Sequence, residues 1–498
     1  MNTPDPRACG LHAGRLNLAD YARNFDDAHP PLTRAQALIE AERCYYCFDA
    51  PCIAACPTGI DVPSFIQRIA QDNLRGAARA ILEANPLGGM CARVCPTEVL
   101  CERACVRNAN EDKPVEIGAL QRYATDAYFA KPGAPLFTRA PATGRRIAVV
   151  GAGPAGLACA HGLARRGHAV VLFDALPKLG GLNEYGLATY KTVGGFAQQE
   201  VAWLLSIGGI EVQSNRQLGR DFTLDGLLGE YDAVFLGVGL AGVNALGIAE
   251  PSMAGVRDAV EFIAELRQSD PASVPVGRRV VVIGGGMTAV DAAVQSRLLG
   301  ADTVTIVYRR GIDAMSASSV EQDWARTNGV TIRHWAAPKE VVCDDGALSG
   351  VRFAVTALQG GKLVETGETF TLEADMVLKA IGQTLVLEPL GGRLGETLGE
   401  TLGETLGETL GETASKSTSL SVGERASAAL ALKDGRIATD ADGRTSHARV
   451  WAGGDCRHGG QDLTVEAVEH GKRAALSIDA ALRGTANPNT TMQETHHG

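Results

Sequence analysis

Eight of the twelve cysteines in this chain lie in two short groups. The first group stands in "CYYCFDAPCIAACP" (44–57) and has the spacing C-x2-C-x4-C-x3-C-P. The second group stands in "CARVCPTEVLCERAC" (91–105) and has the spacing C-x3-C-P-x4-C-x3-C. Ferredoxin-type runs of this kind bind iron–sulfur clusters, and the fourth cysteine of a run there serves the other of two clusters. We therefore predict two [4Fe–4S] clusters held by these groups.

Two other uses of the cysteines remain open from the sequence. Zinc also binds thiolates, although neither group contains a histidine. Structural thiols or disulfides are the second alternative, but a reducing cytoplasm favours ligands over disulfides for cysteines this dense. The four other cysteines are scattered along the chain: Cys9, Cys159, Cys343 and Cys456.

Composition and charge limit the classes of protein. The chain has 498 residues, of which 45% are hydrophobic and 21% charged, so about three domains with large cores are expected. The net charge of −10 and the lack of a basic run argue against binding to nucleic acid. No apolar run approaches the roughly 18 residues of a membrane helix, and the start has no apolar signal segment. We expect a cytoplasmic protein with no membrane partner.

The predicted strands and helices that would position the cofactors follow one pattern, which occurs twice in the chain. After a helical region, "RRIAVVGAGPAGLACAHGLARRGHAVVLFD" (145–174) predicts a strand, a glycine-rich turn, a helix and a second strand. The same order recurs in "RRVVVIGGGMTAVDAAVQSRLLGADTVTIVYRR" (278–310). The fold class is therefore α/β, with a helical iron–sulfur domain followed by two Rossmann-like dinucleotide-binding domains. Within the helical region, residues 60–86 show helical spacing, a start signal at Pro63 and an end before Pro86.

We predict five segments along the chain. They are a helical iron–sulfur domain (1–140), the first part of a FAD domain (145–265), an inserted NAD(P)H domain (277–382), a surface insertion (383–430) and the second part of the FAD domain (431–485). The insertion contains LGET five times in succession (394–413), which is too short a period for a solenoid. We expect it to be a disordered surface loop without a chemical role.

The first glycine-rich turn has the residue types that a dinucleotide needs. Bare backbone and the following helix N-terminus can hold a pyrophosphate, and an acid at the end of the second strand, here Asp174, can bind ribose hydroxyls. The turn consists of Gly151, Ala152, Gly153, Pro154, Ala155 and Gly156. A late "VWAGGDC" (450–456) resembles the segment of two-dinucleotide flavoproteins whose aspartate meets the flavin's ribityl and phosphate region. That resemblance makes the first dinucleotide FAD.

The second turn is expected to bind the nicotinamide dinucleotide. Its candidate residues are Gly284, Gly285, Gly286, Met287 and Thr288. Its second strand ends in Arg309 and Arg310 without an acid, which favours a 2′-phosphate and hence NADPH. The following "GIDAMSASS" adds no further cation, so a solvated arginine pair and NADH remain open.

A disulfide reductase is the commonest relative of this two-dinucleotide plan, and the sequence argues against it. Such enzymes need a redox-active cysteine pair against the flavin, and "GGLNEYG" (180–186) contains none. Cys159 stands alone on an apolar helix and is expected in the core.

The order of the motifs resembles a known family. "CYYCFDAPCIAACP", "NPLGGMCARVCPTEVLCERAC" and "IGALQRYATD", ahead of GAGPAG and GGGMTA, look like the FAD/iron–sulfur half of dihydropyrimidine dehydrogenase. More closely, the chain is similar to the separate bacterial NAD(P)H/FAD/iron–sulfur subunits that carry only that half. The glutamate synthase small subunit shares the same plan. The resemblance spans nearly the whole chain except the LGET insertion.

The resemblance implies how the ligands are shared between the clusters. The first cluster would be held by Cys44, Cys47, Cys52 and Cys105. The second would be held by Cys56, Cys95, Cys101 and an unusual amide ligand, Gln121. Counting thiols alone selects Cys91 instead of Gln121, so this choice stays open. A glutamine at this position favours the dihydropyrimidine family, because the glutamate synthase subunit looks to have a glutamate there.

The resemblance also implies further cofactor contacts. For FAD these are Gly181, Leu182, Lys191, Gly454, Asp455, Thr464 and Val465. For the nicotinamide side they are Ala380, Ile381 and Gly382. Lys191 stands where the family has an arginine near the flavin, and Met287 replaces the Asp or Asn usual in the family.

The implied activity is that of an NAD(P)-dependent oxidoreductase. Electrons would pass from NADH or NADPH, with NADH favoured by the resemblance, through FAD and the two clusters to a partner. Because we expect no segment here for an FMN barrel or a glutaminase, the partner would be an FMN-containing dihydropyrimidine dehydrogenase subunit that reduces uracil or thymine. The alternative is a glutamate synthase small subunit or a generic NAD(P)H:ferredoxin-type oxidoreductase subunit.

Overall fold

A computed structural model describes residues 10–131, 133–390 and 430–484. The LGET repeats and Cys9 lie outside these residues. The first described stretch is helical, as the sequence predicts. Its helices are α1 (Leu18–Asn24), α2 (Arg34–Glu42), α3 (Pro51–Ala54), α4 (Val62–Ala70), α5 (Leu74–Ala84), α6 (Gly88–Val94), α7 (Arg107–Glu111) and α8 (Ile117–Ala130).

The segment 60–86 forms two helices with a sharp break between them. Asp61 caps α4 by accepting a hydrogen bond from the Ser64 amide, and Asn73 caps α5 in the same way. Asp72 between them has a φ of 59°, a left-handed conformation that ends the first helix. Both helices bury an apolar face in one core, against which several of the clustered cysteines pack. Its largest members include Phe65, Ile66, Ile69, Ile81 and Leu120.

A five-stranded parallel sheet follows the helical region. Its strand order is β17-β4-β1-β2-β3, so a strand from the end of the chain completes a sheet begun some 300 residues earlier. The elements of this part of the chain are β1 (Arg146–Val150), α9 (Pro154–Arg165), β2 (Ala169–Phe173), α10 (Leu182–Tyr185), α11 (Phe196–Leu205), β3 (Ile210–Gln213), α12 (Leu224–Glu230), β4 (Ala233–Leu236) and β5 (Gly242–Val243). We call this unit the flavin domain.

A second parallel sheet has the order β6-β13-β7-β8-β9. Its part of the chain contains β6 (Val256–Asp258), α13 (Ala259–Gln268), β7 (Arg279–Gly284), α14 (Met287–Leu298), β8 (Thr303–Tyr308), α15 (Ser319–Thr327), β9 (Val330–His334), β10 (Ala336–Asp344), β11 (Ala347–Gln359), β12 (Lys362–Glu373), β13 (Met376–Ala380) and β14 (Gln383–Thr384). Strands β10 to β12 form a separate antiparallel sheet, and β14 pairs with β5. The last described stretch contains β15 (Leu432–Lys433), β16 (Arg436–Ile437), β17 (Val450–Ala452) and α16 (Thr464–Arg483).

Two domain boundaries differ from the sequence prediction. Strand β6 lies inside the segment 145–265 assigned to the flavin domain, yet it pairs with β13 of the second sheet. At the other end, Tyr21 and Phe25 of α1 are buried in the core of the second sheet's domain, although 1–140 was expected to belong to the iron–sulfur domain. The backbone of His12 also pairs with Val276. Both differences have the same cause. The segments that contain β6 and α1 are short, and each packs on the domain whose apolar surface it covers, although its position in the sequence lies in another domain.

No helix among the described residues is long and apolar enough to cross a membrane.

Candidate functional site

The first set of thiols surrounds a small cavity in the helical domain. Cys44 follows α2, Cys52 lies in α3 and Cys105 precedes α7, so three helix ends meet here with Cys47. Apolar side chains close the cavity around them: Pro51, Val62, Ile66, Val106, Val115 and Ile117. The structure thus brings together the four residues expected to hold the first cluster.

The electrostatics of this set suit a cationic group. Burial, followed by the nearby thiols of Cys44 and Cys105, raises the pKa of Cys52 to about 11. Burial also raises the pKa of Cys44. Several thiolates in one apolar cavity are costly without a neutralising cation, whereas iron makes the thiolate the stable form. The donor set therefore fits an iron–sulfur cluster held by four thiolates.

A second set of thiols lies close by. A hydrogen bond with Cys91, burial and the thiols of Cys101 and Cys56 raise the pKa of Cys95 well above its usual value. The Thr58 hydroxyl lies 3.3 Å from Sγ of Cys56. Cys91 precedes Cys95 by one turn of α6 and is buried. The structure therefore brings Cys91 as well as the three predicted thiols into the second set.

Gln121 is buried on α8 and bonds to α6. Its Nε2 donates to the carbonyl oxygen of Gly88 at 2.7 Å. No described residue donates to its Oε1, which leaves this oxygen free to bind another group. A glutamate here lacks the donor for the Gly88 carbonyl. An amide fixed through nitrogen and free at oxygen fits the ligand role that the resemblance implies.

The described residues offer no preformed site for one zinc ion. Among the described residues, no three Cys, His, Asp or Glu side chains stand close enough to hold a single metal ion. Four thiolates around one zinc ion lie about 2.3 Å from the metal and so only about 3.8 Å from each other. A four-iron cluster carries one protein ligand on each iron, which separates the ligands more widely.

The first glycine-rich turn has no room for a side chain at Gly151 or Gly156. A Cβ on Gly156 would lie 1.8 Å from the carbonyl oxygen of Gly151, and one on Gly151 would lie 2.2 Å from that of Gly237. Gly153 is the N-cap of α9 and Pro154 begins the helix, with no side chain bonded to its first amides. Those amides are left for an anion, so the turn fits a pyrophosphate.

Two carboxylates flank this turn and differ in their hydrogen bonds. Asp174 ends β2 and accepts hydrogen bonds from the amides of Ala152 (2.7 Å) and Leu176 (2.8 Å). Burial, then the charge of Asp462, raises the pKa of Asp455 to about 6. No described group donates to the Asp455 carboxylate, so it suits a hydroxyl-bearing ligand such as the ribityl chain of FAD.

The other flavin candidates converge on the same turn. A Cβ on Gly181 would lie 2.7 Å from Cα of Gly153, and one on Gly454 would lie 3.1 Å from Cβ of Ala155. The Thr464 hydroxyl donates to Oδ1 of Asn183 at 2.9 Å, which places the start of α16 beside α10. Leu182 and Val465 lie at the first turns of these two helices.

The second glycine-rich turn has the same close packing. A Cβ on Gly284 would lie 2.1 Å from the carbonyl oxygen of Ala380, and one on Gly285 would lie 2.5 Å from the Tyr308 ring. Gly286 is the N-cap of α14, whose first residues are Met287 and Thr288, and no side chain caps it. The turn therefore fits a second dinucleotide.

The remaining nicotinamide-side candidates lie at the carboxyl edge of the same sheet. Ala380 is in register with Gly284, and the carbonyl of Ile381 accepts a hydrogen bond from the Asn244 side chain. Gly382 follows with a φ of 94°.

Arg309 and Arg310 follow β8 and are exposed. Within the described residues, neither guanidinium has a carboxylate partner. Both remain available to an anion at the end of β8.

Lys191, expected near the flavin, forms two ion pairs with the second dinucleotide domain. Its Nζ lies 2.8 Å from Oδ1 of Asp291 and 2.8 Å from Oε1 of Glu321, which belong to α14 and α15. Burial lowers the pKa of Lys191, but these two carboxylates outweigh burial and raise it above its usual value. The ammonium thus joins the flavin domain to the second dinucleotide domain.

Two residues that the sequence did not single out tie the flavin domain to the second thiol set. Glu200 of α11 accepts hydrogen bonds from the amides of Gly89 and Met90, just ahead of Cys91. Lys472 of α16 donates to the carbonyl of Thr58, two residues after Cys56. Neither stands in a recognisable motif, so no sequence signal pointed to them.

Comparison with known proteins decides the family. A family model described as dihydropyrimidine dehydrogenase domain II, 4Fe–4S cluster, matches residues 21–132, and one described as pyridine nucleotide-disulphide oxidoreductase matches residues 145–404. The PreT subunit of NAD-dependent dihydropyrimidine dehydrogenase from Salmonella typhimurium is 35% identical over 72% of this chain and 83% of its own length. The small chain of NADPH glutamate synthase from Escherichia coli is 33% identical over 91% of this chain and 93% of its own length.

The chain belongs to the PreT and glutamate synthase small-chain family. As a member, it is an oxidoreductase with a 4Fe–4S domain and a domain that uses FAD and NAD(P). These findings confirm the fold class, the family resemblance and the classes of cofactor expected from the sequence.

The disulphide chemistry named in the second family model does not follow for this member. Cys159 and Cys456, the two cysteines of the described flavin domain, are fully buried. Among solved structures, FprA from Mycobacterium tuberculosis in complex with NADPH matches with a TM-score of 0.52 at 18% identity, over 71% of this chain and 89% of that one. This likeness shows a shared fold of the dinucleotide-binding part.

Proposed function

We propose that this chain is the electron-input subunit of a dihydropyrimidine dehydrogenase. It takes electrons from NADH or NADPH and delivers them to an FMN-containing partner that reduces uracil or thymine to the 5,6-dihydro base. The observation that carries the proposal is Gln121, whose amide nitrogen is held on Gly88 of α6, the helix that carries Cys91, and whose oxygen has no described donor. The relatives named NAD-dependent dihydropyrimidine dehydrogenase subunits support it.

The binding residues would arrange FAD and the two clusters in a definite order along the path of the electrons. Residues around Gly153 and Asp455 would hold FAD, which when bound accepts a hydride and returns electrons singly to iron–sulfur clusters. The second thiol set is the one tied to the flavin domain, through Glu200 and Lys472. The first set lies in the helical domain beside an exposed surface. This order supports transfer from the flavin domain, through the second set and then the first, towards a partner.

The surface beside the first set suits a protein partner. Phe48 follows Cys47 directly and its side chain is 100% exposed, and Tyr45 is half exposed. Aromatic side chains are enriched where proteins meet. We place the contact with the electron-accepting subunit here.

NADH is the nucleotide we propose, following the NAD-dependent relatives. The first turn of α14 and the turn at Gly284 to Gly286 would hold its pyrophosphate. The unpaired Arg309 and Arg310 permit NADPH as well, because their side chains have no carboxylate partner within the described residues.

A glutamate synthase small chain is the second candidate. It is favoured by the extent of the match, which reaches 91% of this chain against 72% for the PreT subunit. Its partner would use the electrons with glutamine and 2-oxoglutarate.

One experiment separates the two candidates. The protein is purified anaerobically from its host together with any subunit that co-elutes, and oxidation of NADH and of NADPH is followed with uracil or with glutamine plus 2-oxoglutarate. Uracil-dependent oxidation is the expected result. Oxidation only with glutamine and 2-oxoglutarate would overturn the dihydropyrimidine assignment and leave the second candidate.

A further inference from the structure

Glu200 is a fully buried carboxylate of the flavin domain that lies against the helical domain. It belongs to α11 and its exposed fraction is 0%. Its Oε1 accepts a hydrogen bond from the Gly89 amide at 2.7 Å, and its Oε2 accepts one from the Met90 amide at 3.2 Å. Both amides belong to α6, which carries Cys91 and ends at Cys95.

The packing around Gly89 fixes this contact sterically. Phe196 and Glu200 are four residues apart on α11 and so lie on one face of it. A Cβ on Gly89 would lie 2.5 Å from the Phe196 ring and 2.8 Å from Oε1 of Glu200. The guanidinium of Arg93, one turn further along α6, stacks on the Phe196 ring at 3.5 Å. Helix α6 therefore fits α11 in only one position.

The same short helix is held from its other side by the amide ligand candidate. Gln121 of α8 donates to the carbonyl of Gly88, next to the Gly89 amide that Glu200 binds. The first turn of α6 therefore sets the positions of both Cys95 and Gln121. Glu200 in turn holds that first turn against the flavin domain.

We propose that Glu200 is a positioning residue for the second cluster, holding α6 and its ligands in register with the flavin domain. The inference deepens the proposed function and rests on its assignment of a second cluster to this set. Glu200 contacts neither substrate nor thiol. It acts through the backbone of Gly89 and Met90, which it holds at a fixed position.

Three substitutions test the contact in different ways. Glu200→Ala removes the acceptor, and Glu200→Gln retains one carbonyl oxygen for the same amides. Gly89→Ala keeps Glu200 but forces α6 away from α11. Gln199→Ala is the matched control. Gln199 directly precedes Glu200 on α11, and its side chain donates a hydrogen bond to the Phe129 carbonyl instead of bonding α6.

Hydrogen exchange and electron paramagnetic resonance are the measurements. In Glu200→Ala, the amides of Gly89 and Met90 should exchange at least about tenfold faster, since each loses its hydrogen bond to the Glu200 side chain. The resonance signal of one reduced cluster should shift while the other stays unchanged, and Gly89→Ala should shift the same signal. NAD(P)H-dependent dye reduction should stay at the wild-type rate, and Glu200→Gln should restore the wild-type signal.

Unchanged exchange and an unchanged signal in Glu200→Ala would overturn the inference, as would a shift of both signals together. The control Gln199→Ala should resemble the wild type, and the same shift there would also overturn it. Absence of a second cluster signal in the wild-type protein is a different outcome, because it would refute the two-cluster assignment of the proposed function itself.

Discussion

The side chain of Gln121 donates to the carbonyl oxygen of Gly88 at 2.7 Å and keeps its own oxygen free of any described donor. The amide group explains why a glutamine suits this position. Its nitrogen fixes the rotamer against α6, while its oxygen faces away from that bond. A carboxylate of the same shape would place an acceptor against the Gly88 carbonyl.

Gln121→Ala should impair delivery of electrons to the partner but spare dye reduction by NADH. Removing both the ligand oxygen and the bond to Gly88 alters only the second cluster, since the flavin site lies in another domain. We expect uracil-dependent turnover to fall by about tenfold or more. Thr125→Val, one turn along α8, serves as the control because Thr125 bonds only backbone carbonyls of its own helix. Unchanged uracil turnover in Gln121→Ala would refute the ligand role.

Cys91 and Cys95 should differ in their effect on iron content. Cys91→Ala should retain the iron of two clusters if, as we propose, Cys95 and Gln121 are ligands and Cys91 is not. Cys95→Ala should lose about half of the iron, since a cluster deprived of one of four ligands is rarely retained. Iron and acid-labile sulfide assays of anaerobically prepared protein measure this. Equal losses in the two variants would show that Cys91 is the eighth ligand.

Lys191 should be important for stability. Lys191→Met would leave the buried carboxylates of Asp291 and Glu321 without their cation, and breaking a buried pair in this way costs about 3 to 5 kcal/mol. The loss should appear in the denaturant midpoint of the apoprotein. The double variant Lys191→Met with Asp291→Asn should recover part of it. A stability equal to that of the wild type would mean that water already solvates these groups.

The pKa of Glu200 predicts a pH-dependent stability. Burial raises this pKa to about 8 from the usual 4.5, against the lowering effect of the two amides. Between these two values the folded state keeps a proton that the unfolded chain has lost, so this residue's contribution to stability falls as the pH rises from about 4.5 to 8. Glu200→Gln, which does not titrate, should remove that part of the dependence. The measurement is the thermal midpoint of both proteins from pH 5 to 8, and parallel curves would contradict the prediction.

Arg309 and Arg310 should discriminate between the two nucleotides. Replacing both with Ala should lower kcat/KM for NADPH by about tenfold, the effect of losing a charged contact to the 2′-phosphate worth about 1.4 kcal/mol. The value for NADH should stay close to that of the wild type, because NADH has no phosphate there. An equal fall for both nucleotides would mean that the arginines bind the pyrophosphate or support the fold.

The sequence by itself determined the chemistry and the fold class of this protein. The two cysteine groups and the two glycine-rich turns each need particular residue types within a few positions of one another. Such local patterns can be recognised in a single sequence. Gly151, Gly156 and Gly284 are examples, because each stands where a Cβ would collide with backbone.

Only the tertiary structure decided how the domains are joined. Strand β6 belongs to the second sheet, α1 packs on the second domain, Lys191 pairs with two helices of another domain, and Glu200 holds α6. These contacts connect residues far apart in the chain, and each depends on which buried surfaces meet. A lysine or glutamate on an amphipathic helix has the same local sequence whether it faces water or a buried amide, so its partner becomes known only when the chain is folded.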